Sequence, residues 1–288
     1  MVNLLHLCES MTIRWYKEEE INLPFKQFEK FARRNHFFIK KRYENGNTKY
    51  KLIRQFIPVY FISGPEVKRF KFMDIADLHI GHEKFSEKTL RASLQKAQDN
   101  GVKMVFIAGD IFEGTCSDSC ETTYLQQIDL AYSIFKDYKF EYYAINGNHD
   151  YSFEQIGLPN PIERLANKLK QVNIKFHYFE EYIMDFVICG VIKRVMHVER
   201  QDFNKQRIFA ALKIKYFEEE KMLSNTHNKT IYPVRFFQVG HIHVNVQMYY
   251  SKRKVFISQS GSFLSSECKE NRENIIQGKI IDGKIFMN

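Results

Sequence analysis

Four short clusters hold the residues best suited to grip divalent cations: Asp77-Leu78-His79, Gly109-Asp110, Gly147-Asn148-His149-Asp150 and Gly240-His241-Ile242-His243. Carboxylate, amide-carbonyl and imidazole groups are the ligands that hard and borderline cations take. Any one cluster is common enough to be a turn or a surface loop. Together they contain four of the ten histidines, and each follows an apolar run.

Ligands need rigid elements to aim them. Phe70, Phe72, Ile75 and Ala76 predict a buried strand that ends at Asp77. Side chains two apart on a strand share a face, so Asp77 and His79 are expected to point one way while Leu78 turns away. Residues 104–108 form a continuous apolar run, the mark of a strand covered on both faces, and deliver Asp110. Residues 142–145 do the same for Asn148 and His149, and 236–239 for His241 and His243. Gly109, Gly147 and Gly240 are expected to supply tight turns that aim these side chains. Helical patterns at 90–97 and 124–135 alternate with the strands. That alternation predicts an α/β layered domain with ligands at the carboxyl ends of strands.

The set resembles the calcineurin-like metallophosphoesterases over roughly residues 69–288, which implies a four-layer αββα sandwich of two mixed sheets between helices. The resemblance also implies two divalent cations, Mn²⁺ first with Fe or Zn²⁺ as alternatives, about 3.5–4 Å apart. Position by position, Asp77, His79 and His243 would hold the first cation. Asp110 would bridge both, and Asn148 and His241 would hold the second. His149 would protonate the leaving oxygen with Asp150 orienting it, and a metal-bound hydroxide would attack phosphorus. Residues 77–81, 109–113, the spacing to Gly147 and the closing Gly261-Ser262 are similar to the SbcD-type DNA-repair exonucleases and their phage counterparts. This implies a nuclease acting on DNA. A small-molecule or protein phosphatase with the same centre, and a non-catalytic DNA- or partner-binding domain, stay open as alternatives.

Two departures from the family pattern stand out. The acidic residue three after the bridging Asp is the longer Glu113. The family's single histidine ending a strand between the third and last motifs is absent from 208–213, the run expected to carry it. His197, after the strand-like run 186–191, is the substitute, set against a reading as a surface-loop histidine. His227 lies in a polar, loop-like stretch.

The first seventy residues carry 14 Lys and Arg against 7 Asp and Glu, a net of +7, whereas 71–288 hold 29 against 27. Such asymmetry points to a polyanionic partner. Pro24 opens a helical pattern with Phe25, Phe28, Phe31 and Ala32 on one face and Lys26, Lys30, Arg33 and Arg34 around the rest. Lys40, Lys41 and Arg42, then Lys49 and Lys51, flank Asn45-Gly46, a hairpin signal. A helix followed by a basic hairpin fits a winged helix on DNA; a small cap with solvated lysines is the other reading. DNA is the expected partner, with Lys30, Arg33, Arg34, Lys40, Lys41, Arg42, Lys49 and Lys51 as contacts. Residues 1–68 are read as a module apart from 69–288.

At 288 residues and 44% hydrophobic, the chain can bury one large core and a small extra module. No apolar run approaches the ~20 residues that cross a membrane, and the start lacks signal-peptide character, so a cytoplasmic location is expected. Five cysteines, sparse and odd in number, fit reduced thiols, and Cys116 and Cys120 read as an ordinary loop. The chain closes soon after Gly261-Ser262, with strands around an Asp282-Gly283 turn. A coiled-coil ATPase partner docked on C-terminal helices is therefore not expected.

Overall fold

The structure is a computed structural model that describes residues 15–21, 25, 28, 37–44, 46–54, 58–64, 66–115, 123–197, 234–241, 243, 246–250, 255–264, 276–281 and 284–287. The apolar runs become strands where the pattern places them. β5 (Arg69–Ile75), β6 (Met104–Ala108), β7 (Glu141–Ile145) and β8 (Phe176–Phe179) lie parallel. β14 (Ile276–Ile281) pairs antiparallel with β5, and β15 (Lys284–Met287) lies beyond it. A second six-stranded sheet has the order β12 (Val246–Tyr250), β13 (Val255–Gln259), β11 (Val234–Gly240), β10 (Val191–His197), β9 (Ile183–Ile188) and β4 (Val59–Phe61).

Strand alternation divides the first sheet between two cores. Met73, Ile75, Val105, Ile107, Tyr142 and Ala144 pack on helices α1 (Glu87–Asp99), α2 (Tyr124–Phe135), α3 (Asn148–Gln155) and α4 (Pro161–Lys170). Phe72, Phe106, Tyr143 and Ile145 face the second sheet and meet Phe186, Ile188, Val195 and Phe236. Ser86, Thr123 and Asn160 each accept a backbone N–H from the following turn and so start α1, α2 and α4. Helices α1 to α4 all join the first core, so the described residues supply helix, sheet and sheet of the expected sandwich. None of them is long and apolar enough to cross a membrane.

One expected strand, 186–191, is two. Cys189 and Gly190 take left-handed φ values of 51° and 74° and turn the chain back, the geometry of a two-residue hairpin. β9 and β10 therefore pair antiparallel, and His197 ends a strand instead of sitting in a surface loop. The pattern hid β10 because Lys193 and Arg194 are buried in it, paired with Asp74 and Asp185. The run 208–213, His227, Cys116 and Cys120 lie outside the described residues.

Toward the N-terminus, β1 (Tyr16–Lys17), β2 (Phe37–Glu44) and β3 (Asn47–Arg54) form a separate sheet in the order β1-β3-β2. The expected hairpin is present, with Gly46 at φ 77°. Tyr16, Ile21, Phe28, Tyr50 and Leu52 form a small core on this sheet, against which Phe25 packs, whereas β4, within the expected 1–68 module, joins the second large sheet. The rest of the expected 24–32 helix, with Lys30, Arg33 and Arg34, lies outside the described residues.

The module is seated on α3. The Tyr151 hydroxyl donates to the Lys41 carbonyl oxygen, and Lys40 pairs with Glu180 while lying 5.5 Å from the Tyr151 ring. Lys40 is thus turned inward and withdrawn from the DNA contact expected of it. Lys41 is exposed; Arg42, Lys49 and Lys51 are partly so, with Glu44 bonded to both Arg42 and Lys49.

The Lys40 side chain is 3% exposed but that of Glu180 is 58% exposed, so their deletions are predicted to differ. Glu180→Ala strands a buried ammonium and is expected to cost about 1–3 kcal/mol. Lys40→Met leaves only a solvated carboxylate and is expected to cost under about 1 kcal/mol. Urea unfolding of the full chain measures both; equal losses would contradict the asymmetry.

Candidate metal centre

The four clusters and His197 meet between the two sheets, all from carboxyl ends of strands. Asp77 follows β5, Asp110 follows β6, Asn148 and His149 open α3 after β7, His197 ends β10, and His241 and His243 follow β11. The backbone there is not strand. Asp77, His79, Asp110, His241 and His243 all have positive φ, at 53°, 51°, 50°, 87° and 54°. Each such residue costs about 1–3 kcal/mol unless its surroundings hold it. Asp77 and His79 therefore share a direction through two left-handed turns, not through the pleat expected of them. Bonds from Asp77, His79 and Ile80 N–H to the carbonyls of Gly109, Asp110 and Ile111 hold the loop.

The glycines serve differently as well. Gly109 does turn, at φ 78°. Gly147 sits at φ −119°, open to any residue, and is needed for space: a Cβ there would lie 2.2 Å from the Asp110 backbone N and Oδ1.

Among the described residues, three groups of side chains could hold an ion, one of them His79, Glu113 and His149. Asp77, His79 and His243 bring one ligand atom each within 4.8 Å of one another, and so do Asp110, His197 and His241. His79 Nδ1 donates to Glu113 Oε2 at 2.8 Å, which leaves its Nε2 as a lone pair 3.0 Å from His243 Nε2. His197 Nδ1 donates to the Ala108 carbonyl at 2.8 Å. Its Nε2 then faces two acceptors, Asn148 Oδ1 at 2.9 Å and Asp110 Oδ2 at 3.2 Å. His241 Nδ1 lies 3.0 Å from the same Asn148 oxygen. Asp110 Oδ2 is buried and accepts no hydrogen bond. Carboxylate, amide and imidazole groups packed this closely, with one buried carboxylate oxygen unpartnered, are a donor set that fits cations.

Electrostatics agree. Burial pushes Asp77 up; burial and Asp110 together push Asp150 up to about 7. Burial acts the same way on Asp110, but His197, His79 and His149 hold it well below the usual carboxylate range. Burial disfavours charge on His197, yet Asp110 and Asp77 push it up to about 10. Burial and His197 push His241 down to about 4. Positive charge is favoured among Asp77, Asp110 and His197.

Asp150 does not touch the His149 ring. Its carboxylate accepts from Gly147 N–H at 3.0 Å and Phe112 N–H at 2.9 Å, tying the two motif loops together. His149 is oriented instead through Nδ1, 2.6 Å from the Glu113 carbonyl oxygen. Glu113 thus positions two site imidazoles through separate atoms. Its place three after Asp110 was the available signal, and its longer carboxylate reaches His79.

Largely buried groups of acids and imidazoles at the ends of parallel strands define a metal-ligating α/β sandwich. The calcineurin-like phosphoesterase family profile matches residues 70–245, a span holding all four clusters and His197. The chain belongs to that family.

It is similar to the DNA double-strand break repair protein Mre11 of Archaeoglobus fulgidus, 25% identical over 128 residues. That match spans 36% of this chain and 27% of the relative's length. Among solved structures it is similar to a dimetal phosphatase from Danio rerio, with TM-score 0.45 and 11% identity over 77% of this chain and 99% of that one. It is also similar to Vps29 complexed with Zn²⁺ from Entamoeba histolytica, with TM-score 0.37 and 13% identity over 76% and 97%.

Because Gly147 has an ordinary backbone, Gly147→Ala is predicted to act only by pressing on Asp110. Calorimetric titration with Mn²⁺ is expected to show binding weakened about 10-fold or more. Unchanged affinity would contradict the close packing.

Proposed function

We propose that this phosphoesterase is a Mn²⁺-dependent phosphodiesterase that cleaves DNA. The main support is where its positive charge lies. Of the chain's net +9, +7 falls in the first seventy residues. The hairpin bearing Lys41, Arg42, Lys49 and Lys51 is seated on α3, whose first two residues are Asn148 and His149. A basic surface tied to that helix suits a polyanion that extends past the reacting phosphate. The sheet order β1-β3-β2 fits the wing of a winged helix. The DNA-repair relative supports the same reading. Sparse cysteines fit a reducing, cytoplasmic setting.

In this reading Asp77, His79 and His243 would hold one cation and Asn148, His197 and His241 the other, with Asp110 available to both. When bound, the cations supply Lewis acidity toward the phosphoryl group and lower the pKa of water. With its Nδ1 proton given to the Glu113 carbonyl, His149 keeps Nε2 for delivering a proton to the leaving oxygen. Its side chain is 23% exposed and so borders the solvent from which substrate arrives. The non-catalytic alternative would gain from the lack of a fourth-motif histidine; His197, ending β10 beside Asn148 and Asp110, is the residue we assign to that role.

Turnover of bis-p-nitrophenyl phosphate with Mn²⁺ tests the chemistry. The wild type is expected to be active, His149→Ala slower by about 100-fold or more, and Asp110→Ala inactive; an inactive wild type would point to a binding domain. The substrate is tested in the full chain by Lys41→Gln, Lys49→Gln and Lys51→Gln together. DNA affinity should fall and its salt slope flatten by about 2–3, with bis-p-nitrophenyl phosphate turnover unchanged. Unaltered DNA affinity beside strong hydrolysis of p-nitrophenyl phosphate would favour a phosphatase.

A further inference from the structure

A polar layer lies between the two sheets, beneath the ligands. Lys193 Nζ, fully buried, is 2.8 Å from Asp74 Oδ1 and 2.9 Å from Oδ2. Ser258 Oγ donates to the same Oδ2 at 3.3 Å. The rings of Phe236, Phe72 and Phe106 surround the ammonium at 3.8, 4.6 and 4.9 Å. Nearby, Gln238 Nε2 donates to the carbonyls of Ile75 and Phe106 at 3.0 and 3.1 Å. Every one of these polar contacts joins the first sheet, through Asp74, Ile75 or Phe106, to the second, through Lys193, Gln238 or Ser258.

The layer keeps step with the ligands along the chain. Asp74 precedes Asp77 by three residues, Phe106 precedes Asp110 by four, Lys193 precedes His197 by four and Gln238 precedes His241 by three. Within β10, which holds both Lys193 and His197, four residues at strand rise span about 13 Å. The layer and the ligand set are thus two levels of the same four segments.

Hydrophobic attraction is non-directional and scales with area, so the phenylalanine and aliphatic faces hold the sheets together without strongly opposing a small slide. Ion pairs and amide hydrogen bonds are directional. As a source of stability a buried ion pair is weak, because desolvation offsets its Coulomb attraction. Alignment is the contribution that remains.

We propose that Lys193, Asp74 and Gln238 are positioning residues that lock the two sheets at the offset where their ligand groups hold paired cations. The first sheet carries Asp77, His79, Asp110 and Asn148; the second carries His197, His241 and His243. The proposal rests on the two-cation reading of the site and is independent of the substrate.

The test is the full chain carrying Asp74→Val with Lys193→Met, which removes both charges and strands neither. Mn²⁺ binding is followed by calorimetry, the loaded protein by electron paramagnetic resonance, and stability by thermal unfolding. Wild type is expected to bind two Mn²⁺ as a spin-coupled pair. The double variant is expected to melt close to or above wild type, yet to bind its second Mn²⁺ about 10-fold or more weakly and to lose the coupled signal. Gln238→Met should shift both readouts the same way, and it decides the matter if the double variant does not fold. Wild-type pair affinity and coupling in a folded variant overturn the proposal. A wild type that binds no pair overturns the two-cation reading instead.

Discussion

Acid, amide and imidazole groups from two separate sheets face one another at 2.9–3.2 Å, and the rest of the structure is arranged around that crowding. Asp110, Asn148, His197 and His241 would repel one another without positive charge among them. A protein can maintain such a contact only if its scaffold is stiffer than the repulsion. Here the stiffness comes from the ends of parallel strands, whose ladders continue into the motif loops through bonds such as Ile80 N–H to the Ile111 carbonyl.

Local strain is the second consequence. Five of the seven non-glycine residues with positive φ among the described residues are the acids and imidazoles of the centre. Their left-handed turns point side chains inward where a strand would alternate them. Glycine is spent on clearance as much as on turning, since a Cβ at Gly147 would collide with Asp110. The large aromatic and aliphatic cores on both sides of the first sheet offset these local costs.

Much of this was legible in the residues. Continuous apolar runs gave β6 and β7 almost to the residue, Tyr124–Phe135 gave α2 at its observed bounds, and Asn45-Gly46 gave the hairpin. The motif set gave the segments that meet at the centre. What escaped was hidden by burial of charge. Lys193 and Arg194 look like solvent-facing residues, yet both are buried with carboxylate partners, so the strand that carries His197 read as a loop. Lys40 misled in the same way: a lysine in a basic hairpin reads as a phosphate contact, whereas its partner Glu180 is more than a hundred residues away. Partnerships of that range leave no local trace. The task of Asp150 was misread because its bonds go to backbone N–H groups of Gly147 and Phe112, which no residue type announces.

The most direct measurement of the central claim is anomalous diffraction at the manganese edge from Mn²⁺-soaked crystals of the full chain. Two peaks about 3.5–4 Å apart are predicted, with Asp110 on both and His197 on the one shared with Asn148 and His241. A single peak, or an occupied pair with His197 turned away, would contradict the account.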